Sequence, residues 1–150
     1  MLRIAKLTDY ATLLMTHLAC DAGACVSAAQ LADSLHLPLP TVTKLLKQLL
    51  RAQLLVSVRG TAGGYSLAHA PRAISLAQVF SAIEGPLALT DCERGHGRCA
   101  LERGCMTRAN WQVINRAVET ALAAVTLADM AAPLQQPVQL RMPPHQERQL

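Results

Sequence analysis

Pro40-Thr41-Val42-Thr43-Lys44-Leu45-Leu46-Lys47-Gln48-Leu49-Leu50-Arg51-Ala52 is the stretch that decides the fold. Set at about 100° per residue, Val42, Leu45, Leu46, Leu49 and Leu50 fill one arc of a helix. Thr41, Thr43, Lys44, Lys47, Gln48 and Arg51 fill the other, which holds three cations and no acid. Such a helix buries one side and turns a basic, hydrogen-bonding side to solvent.

Working upstream, Leu37-Pro38-Leu39-Pro40 breaks any preceding helix, because proline cannot continue one. Pro40 suits the first position of the helix it opens. Ser27-Ala28-Ala29-Gln30 reads as a capping box for a short second helix with Leu31 and Leu35 inward. Thr8 is expected to cap a first helix running to about residue 22, with Asp9 in its first turn. Tyr10, Leu13, Leu14, His17 and Leu18 are its expected buried stripe.

Downstream, Leu54-Leu55-Val56-Ser57-Val58 and Tyr65-Ser66-Leu67 read as paired strands joined by Arg59-Gly60-Thr61-Ala62-Gly63-Gly64. Gly60, Gly63 and Gly64 permit positive φ and close approach of backbone to a ligand. Ser75-Leu76-Ala77-Gln78 is a second capping box, for a helix with Leu76, Val79, Phe80 and Ile83 inward that ends at Gly85-Pro86. The order of elements predicts a mainly α (α+β) fold, a winged helix-turn-helix over residues 1–90 with a two-stranded wing.

That unit suits double-stranded DNA. A helix fits the major groove, where each base pair shows a distinct donor and acceptor pattern. Thr41, Thr43 and Gln48 offer hydroxyls and an amide to base edges, and Lys44, Lys47 and Arg51 offer charge to phosphates. Arg59 at the base of the wing reaches the flanking minor groove. The cations alone would equally solvate an ordinary helix face; helix, turn and wing in this order tip the balance. Residues 1–70 add six basic side chains (Arg3, Lys6, Lys44, Lys47, Arg51, Arg59) against three acidic ones (Asp9, Asp21, Asp33).

The whole chain has 150 residues, 51% apolar, 16% charged and only 3% aromatic, with a net charge of +4. Leu, Ala and Val dominate, which suits packed helices and leaves ample surface to bury, excluding disorder over the whole chain. No run of about 18 apolar residues escapes a polar break, so no membrane span is expected. Met1-Leu2-Arg3-Ile4-Ala5-Lys6 lacks the apolar core of a signal peptide. Paired catalytic carboxylates, a Ser/His/Asp set and a phosphate-binding loop are missing, so an enzyme is not expected.

Five cysteines is an odd number, unsuited to a complete disulfide framework and consistent with a reducing cytoplasm. Three of them lie in a polar, glycine-punctuated loop over 91–105, as Cys92, Cys99 and Cys105. Thiolates are the usual ligands of iron–sulfur clusters, and the fourth ligand need not be cysteine. Arg94, Arg98 and Arg103 favour the thiolate form. Zinc with His96 as fourth ligand, and thiol redox sensing without metal, remain open alternatives. Cys20 is expected as a small core residue and Cys25 as a loop thiol. A long helix over 106–131 carries Trp111, Ile114, Val118, Leu122 and Val125 on one side, and at roughly 35 Å it needs a second subunit to cover it. Residues 132–150, with four prolines and five glutamines beyond residue 132, read as a disordered tail.

Over about 1–131 the chain resembles the IscR/NsrR/RirA-type family of bacterial iron–sulfur transcription regulators, which are winged-helix homodimers; regulators of the SUF cluster-assembly operon are the nearest in look. The resemblance is carried by Leu7-Thr8-Asp9-Tyr10-Ala11, Val58-Arg59-Gly60-Thr61-Ala62-Gly63-Gly64-Tyr65, Glu84-Gly85-Pro86-Leu87, the cysteine loop, Ala109-Asn110-Trp111 and Thr126-Leu127-Ala128-Asp129-Met130. It implies that Cys92, Cys99 and Cys105 bind a 2Fe–2S or 4Fe–4S cluster. It also implies that Arg59 enters the minor groove and that Pro40, Thr41, Thr43 and Lys44 read bases of a roughly palindromic operator. Where some relatives place a fourth-ligand histidine this chain has Arg108; Asp9 of a partner subunit and His96 are the other candidates. Pro38 and Pro40 replace base-reading serines of some relatives. A regulator controlling cluster-assembly genes, with repression as its mode, is the leading expectation. A zinc or thiol regulator comes second, and a small iron–sulfur carrier with an incidental basic face third.

Overall fold

The computed structural model describes residues 4–60, 62–91, 99–100 and 104–132. Within them run α1 (Lys6–Cys20), α2 (Ala28–Leu35), α3 (Leu39–Arg51), β1 (Leu55–Val58), β2 (Gly64–Leu67), α4 (Leu76–Glu84), α5 (Arg108–Ala124) and α6 (Leu127–Ala131), with a 3-10 turn at Pro71–Ala73. Cys92, His96 and residues 133–150 lie outside the described residues.

The capping boxes at Ser27 and Ser75 form as expected. Each serine N–H donates to its glutamine side chain, at 2.9 Å for Gln30 and 2.8 Å for Gln78, and each serine hydroxyl accepts in return. The ends of α2 and α3 share another device, without glycine. His36 (φ 52°) and Gln53 (φ 58°) turn left-handed. Leu37 N–H then returns to the Ala32 carbonyl and Leu54 N–H to the Leu49 carbonyl, both at 3.0 Å, satisfying carbonyls the helices leave open. Leu39 takes the first position of α3 and Pro40 the second, one residue later than expected.

β1 and β2 pair antiparallel, with Leu55 opposite Leu67 and Val58 opposite Gly64. Val26, just ahead of α2, exchanges both backbone hydrogen bonds with Tyr65, at 3.0 and 2.8 Å. A Cβ at Gly64 would stand 2.6 Å from the Val26 carbonyl carbon and oxygen. The glycine expected to admit a ligand therefore admits the protein's own backbone and seats the wing against Val26 and Ser27, the residues that lead into α2.

Leu14, Met15 and Leu18 of α1, Leu31 of α2, Val42, Leu45, Leu46 and Leu49 of α3, Val79 of α4 and Leu127 of α6 share one core. Three expectations for α1 are corrected. The helix starts at Lys6 with no side-chain cap, and Thr8 sits inside it, fully buried, its hydroxyl donating to a Glu84 carboxylate oxygen. A polar residue faces inward because a carboxylate across the core satisfies it. The buried stripe is accordingly Thr8, Ala11, Leu14, Met15, Leu18 and Ala19, and Leu13 is 46% exposed. Cys20, expected in the core, is exposed, because the helix ends there.

The expected long helix is divided. Val125 is extended (φ −97°, ψ 125°). Its carbonyl accepts from Leu76 N–H, and Leu127 N–H donates to the Ile74 carbonyl, both at 2.9 Å. Thr126 and Asp129 form a third capping box, which starts α6 afresh. Helical periodicity reads straight through such a box. α5 is therefore 17 residues, about 25 Å, and α6 folds back against α1 with Leu127 fully buried.

Candidate functional site

The outer side of α3 is an open groove lined by Leu39, Pro40, Thr43, Lys44, Lys47, Gln48 and Arg51. Pro40, Lys44, Lys47 and Arg51 are exposed, and Thr41, Thr43 and Gln48 are half-buried. The Thr43 hydroxyl donates to the Leu39 carbonyl at 2.9 Å, so it faces outward as an acceptor. The Gln48 carbonyl oxygen is buried and has no hydrogen-bond partner among the described residues. All six polar residues of the predicted arc thus lie outside the core, and the apolar arc, Val42, Leu45, Leu46 and Leu49, lies within it.

Arg59 and Gly60 are exposed at the wing tip, and Gly63 and Gly64 are half-buried. Gly60 has φ 123°, and Gly63 N–H closes the turn on the Gly60 carbonyl at 3.0 Å. This tight turn carries Arg59 beyond the end of β1, on the same part of the chain as α3 but outside its groove.

Cys99 and Cys105 are half-buried, and Cys92 lies outside the described residues. The Cys105 thiol lies 3.3 Å from the Thr107 hydroxyl. That hydroxyl, then the Thr107 backbone and the nearby Arg108 charge, hold the thiol below its ordinary value and favour thiolate. Among the described residues no three metal-binding side chains converge. Cys99 and Cys105 are soft donors of the kind an iron–sulfur or zinc site uses, with the thiolate favoured at Cys105, and Asp9 is exposed near the start of α1.

One buried polar residue beside the cysteine segment escaped the sequence reading. Asn115 of α5 is buried; its Nδ2 donates to the Leu87 carbonyl at 3.0 Å and its Oδ1 accepts from Leu89 N–H at 3.1 Å. It fastens the chain leaving α4 to the helix that follows the cysteine segment. The available signal was its spacing: four residues after Trp111 and seven before Leu122, an amide stands in the apolar stripe.

The apolar side of α5 opens to solvent at Trp111 (39% exposed) and Ile114 (43%), with Val118 and Leu122 half-buried; Leu122 packs on this chain's own core, and Val125, just past the helix, is buried in it. No helix among the described residues is long and apolar enough to cross a membrane.

With a left-handed turn between α2 and α3 and a hairpin lying against α1 and α3, the chain is a winged-helix protein of the transcription-regulator kind. It belongs to the Rrf2 family, described as iron-dependent transcriptional regulators, whose family model matches residues 4–133. It is 30% identical over 105 residues to the HTH-type transcriptional regulator IscR of Vibrio cholerae, which covers 70% of this chain and 60% of that one. Among solved structures it is similar to IscR of T. potens, at 29% identity and a TM-score of 0.70, covering 92% of this chain and 94% of that one. CymR, the global cysteine regulator of B. subtilis, is similar at 30% identity and a TM-score of 0.69, with 87% and 97% covered. Family membership selects a regulator over a small iron–sulfur carrier.

Proposed function

We propose that this chain is a homodimeric, cytoplasmic DNA-binding repressor that reads a roughly palindromic operator and reports iron–sulfur status to cluster-assembly genes. The observation that carries the reading is the exposed side of α3, where Lys44, Lys47 and Arg51 stand without an acid. In the complex, Pro40, Thr41, Thr43, Lys44 and Gln48 face bases, and Lys47 and Arg51 face phosphates. Arg59, carried by Gly60, Gly63 and Gly64, takes the minor groove. The half-exposed stripe of α5 supports twofold pairing, which sets two α3 helices on two half-sites.

Cys92, Cys99 and Cys105 would hold the cluster, 2Fe–2S or 4Fe–4S, with Asp9 of a partner subunit, His96 or a small molecule as fourth ligand. When bound, such a cluster supplies an occupancy sensitive to oxygen and iron supply. The thiolate-favouring surroundings of Cys105 support the ligand role. They equally favour a second reading, thiol sensing without metal, which the likeness to a CymR of Staphylococcus aureus solved in an oxidized form also supports. Anaerobic purification, a visible spectrum and iron and zinc analysis separate the two. A brown chromophore lost on serine substitution at Cys92, Cys99 or Cys105, and kept on substitution at Cys20 or Cys25, is expected. Zinc without iron, or no metal, would overturn the cluster reading.

A further inference from the structure

We infer that Asn115 is the positioning residue of the cysteine segment: from α5 it closes the base of the loop that bears Cys99 and Cys105, and so couples that loop to α5. The inference rests on the cysteine-sensor reading above.

Asn115 is 6% exposed, and the only other buried polar side chain among the described residues is Thr8. Both grip the same short stretch. Thr8 holds Glu84 at the end of α4, and Asn115 holds the backbone of Leu87 and Leu89. A buried amide costs free energy unless both of its ends are paired, and here both are spent on backbone groups of one segment. For packing alone, leucine would serve better at a stripe position between Trp111 and Leu122.

The geometry explains what the amide does there. The chain leaves Leu89, carries Cys99 and Cys105, and re-enters helix at Arg108. Asn115, two turns further along, ties the departing chain to the returning helix. Holding the ends of a loop together removes closure entropy that its thiols would otherwise face when they converge on one ligand. A two-point bond also fixes direction as well as position. Asn115 bonds none of the described thiols itself; it acts on them through the backbone it holds at the base of their loop.

The test uses the full chain. Asn115→Leu removes both hydrogen bonds at similar volume, and Thr8→Val releases the other grip. In the metal-free protein, iodoacetamide alkylation is followed at each cysteine by mass spectrometry, with the exposed Cys20 and Cys25 as internal references. Asn115→Leu should raise the rates at Cys99 and Cys105 about tenfold by local opening and leave Cys20 and Cys25 unchanged. Unchanged rates at Cys99 and Cys105, or equal rises at all four sites, would overturn the inference. Where Asn115→Leu fails to fold, Asn115→Asp decides by the same pattern, because it keeps the Leu89 bond and sets oxygen against the Leu87 carbonyl. A second arm titrates iron anaerobically into reduced protein, expecting lower affinity in Asn115→Leu, because the thiols must then meet the closure entropy themselves. A wild type that takes no iron refutes the cluster reading alone, since the alkylation arm still decides the role of Asn115.

Discussion

Replacing Gly64 by alanine tests whether the wing is seated as described. The added Cβ would stand 2.6 Å from the carbonyl carbon and oxygen of Val26 and 2.9 Å from the Ser27 nitrogen. All three are backbone atoms, so no side-chain rotation relieves the clash. Gly64 is not among the positive-φ residues, so the cost is steric alone. Two relaxations are open. The clash persists, at about 1–3 kcal/mol for overpacking. Otherwise β2 moves away and loses its two bonds between Val26 and Tyr65, at about 0.5–1.5 kcal/mol each. Both routes come to about 2 kcal/mol, which for a domain of this size lowers the melting temperature by roughly 4–8 °C.

Thermal unfolding by circular dichroism reads the stability, with Gly104→Ala, where nothing lies within 4 Å, as the control. Because the displaced strand carries the wing turn, operator affinity should also fall, by about 1–3 kcal/mol as for loss of one groove contact. Fluorescence anisotropy well below the melting temperature, on a site selected from random duplexes, measures it. Melting within 1 °C of wild type together with unchanged affinity would refute the seating of the wing on Val26.

The remaining expectations address the interface, the assembly and pH. Arg59→Ala should cost about 1–3 kcal/mol on the specific site, whereas Lys47→Ala should weaken all sequences alike and flatten the salt dependence; wild-type behaviour of both at two salt concentrations would remove the DNA reading. Glutamate at both Ile114 and Val118 should give monomers with weak operator affinity in sedimentation, and a wild type already monomeric at micromolar concentration would sink the dimer. The Thr126 hydroxyl, then its backbone N–H, hold the Asp129 carboxyl below its ordinary range, so its charge stabilises α6 above about pH 3.9 and that contribution is lost as pH falls through the lower folded value. Asp129→Asn should therefore unfold at lower urea than wild type at neutral pH, with the gap closing in acid; a gap constant from pH 7 to pH 2.5 would contradict this.

Local chemistry was legible in the chain, and partnerships across the core were not. Both serine capping boxes, the α3 amphipathy and the wing strands depend on neighbours within a few residues, and each formed where it was read. Thr8 misled because serine and threonine at a helix start usually cap, whereas this hydroxyl is satisfied by Glu84, 76 positions away. Thr126-Leu127-Ala128-Asp129 is as good a box as the other two, yet unbroken apolar spacing across Val125 hid it. His36 and Gln53 give no glycine signal for their left-handed turns. On the site itself, the α3 arc and Arg59 were legible as a solvent face, but Asn115 acquires its meaning only from Leu87 and Leu89, which sequence spacing does not bring near.

The way α5 is held constrains how any signal can reach DNA. Its far end is pinned to the core, with Val125 and Leu127 bonded to Leu76 and Ile74 and Leu127 fully buried. Its middle is pinned by Asn115, and α6 closes on α1, whose Leu14 and Met15 share a core with Leu45, Leu46 and Leu49 of α3. A close-packed core of this kind does not deform continuously. Rotating α5 within one chain would break buried hydrogen bonds at both anchors. Tilting it against a second copy breaks neither, because Trp111 and Ile114 are still half open to solvent. If the dimer and the cysteine sensor are as proposed, the state of the cysteine segment would act on the relation between two intact winged-helix units. What changes is the separation and tilt of two α3 helices relative to two half-sites, and only a difference in stability between those two arrangements can make binding depend on the signal.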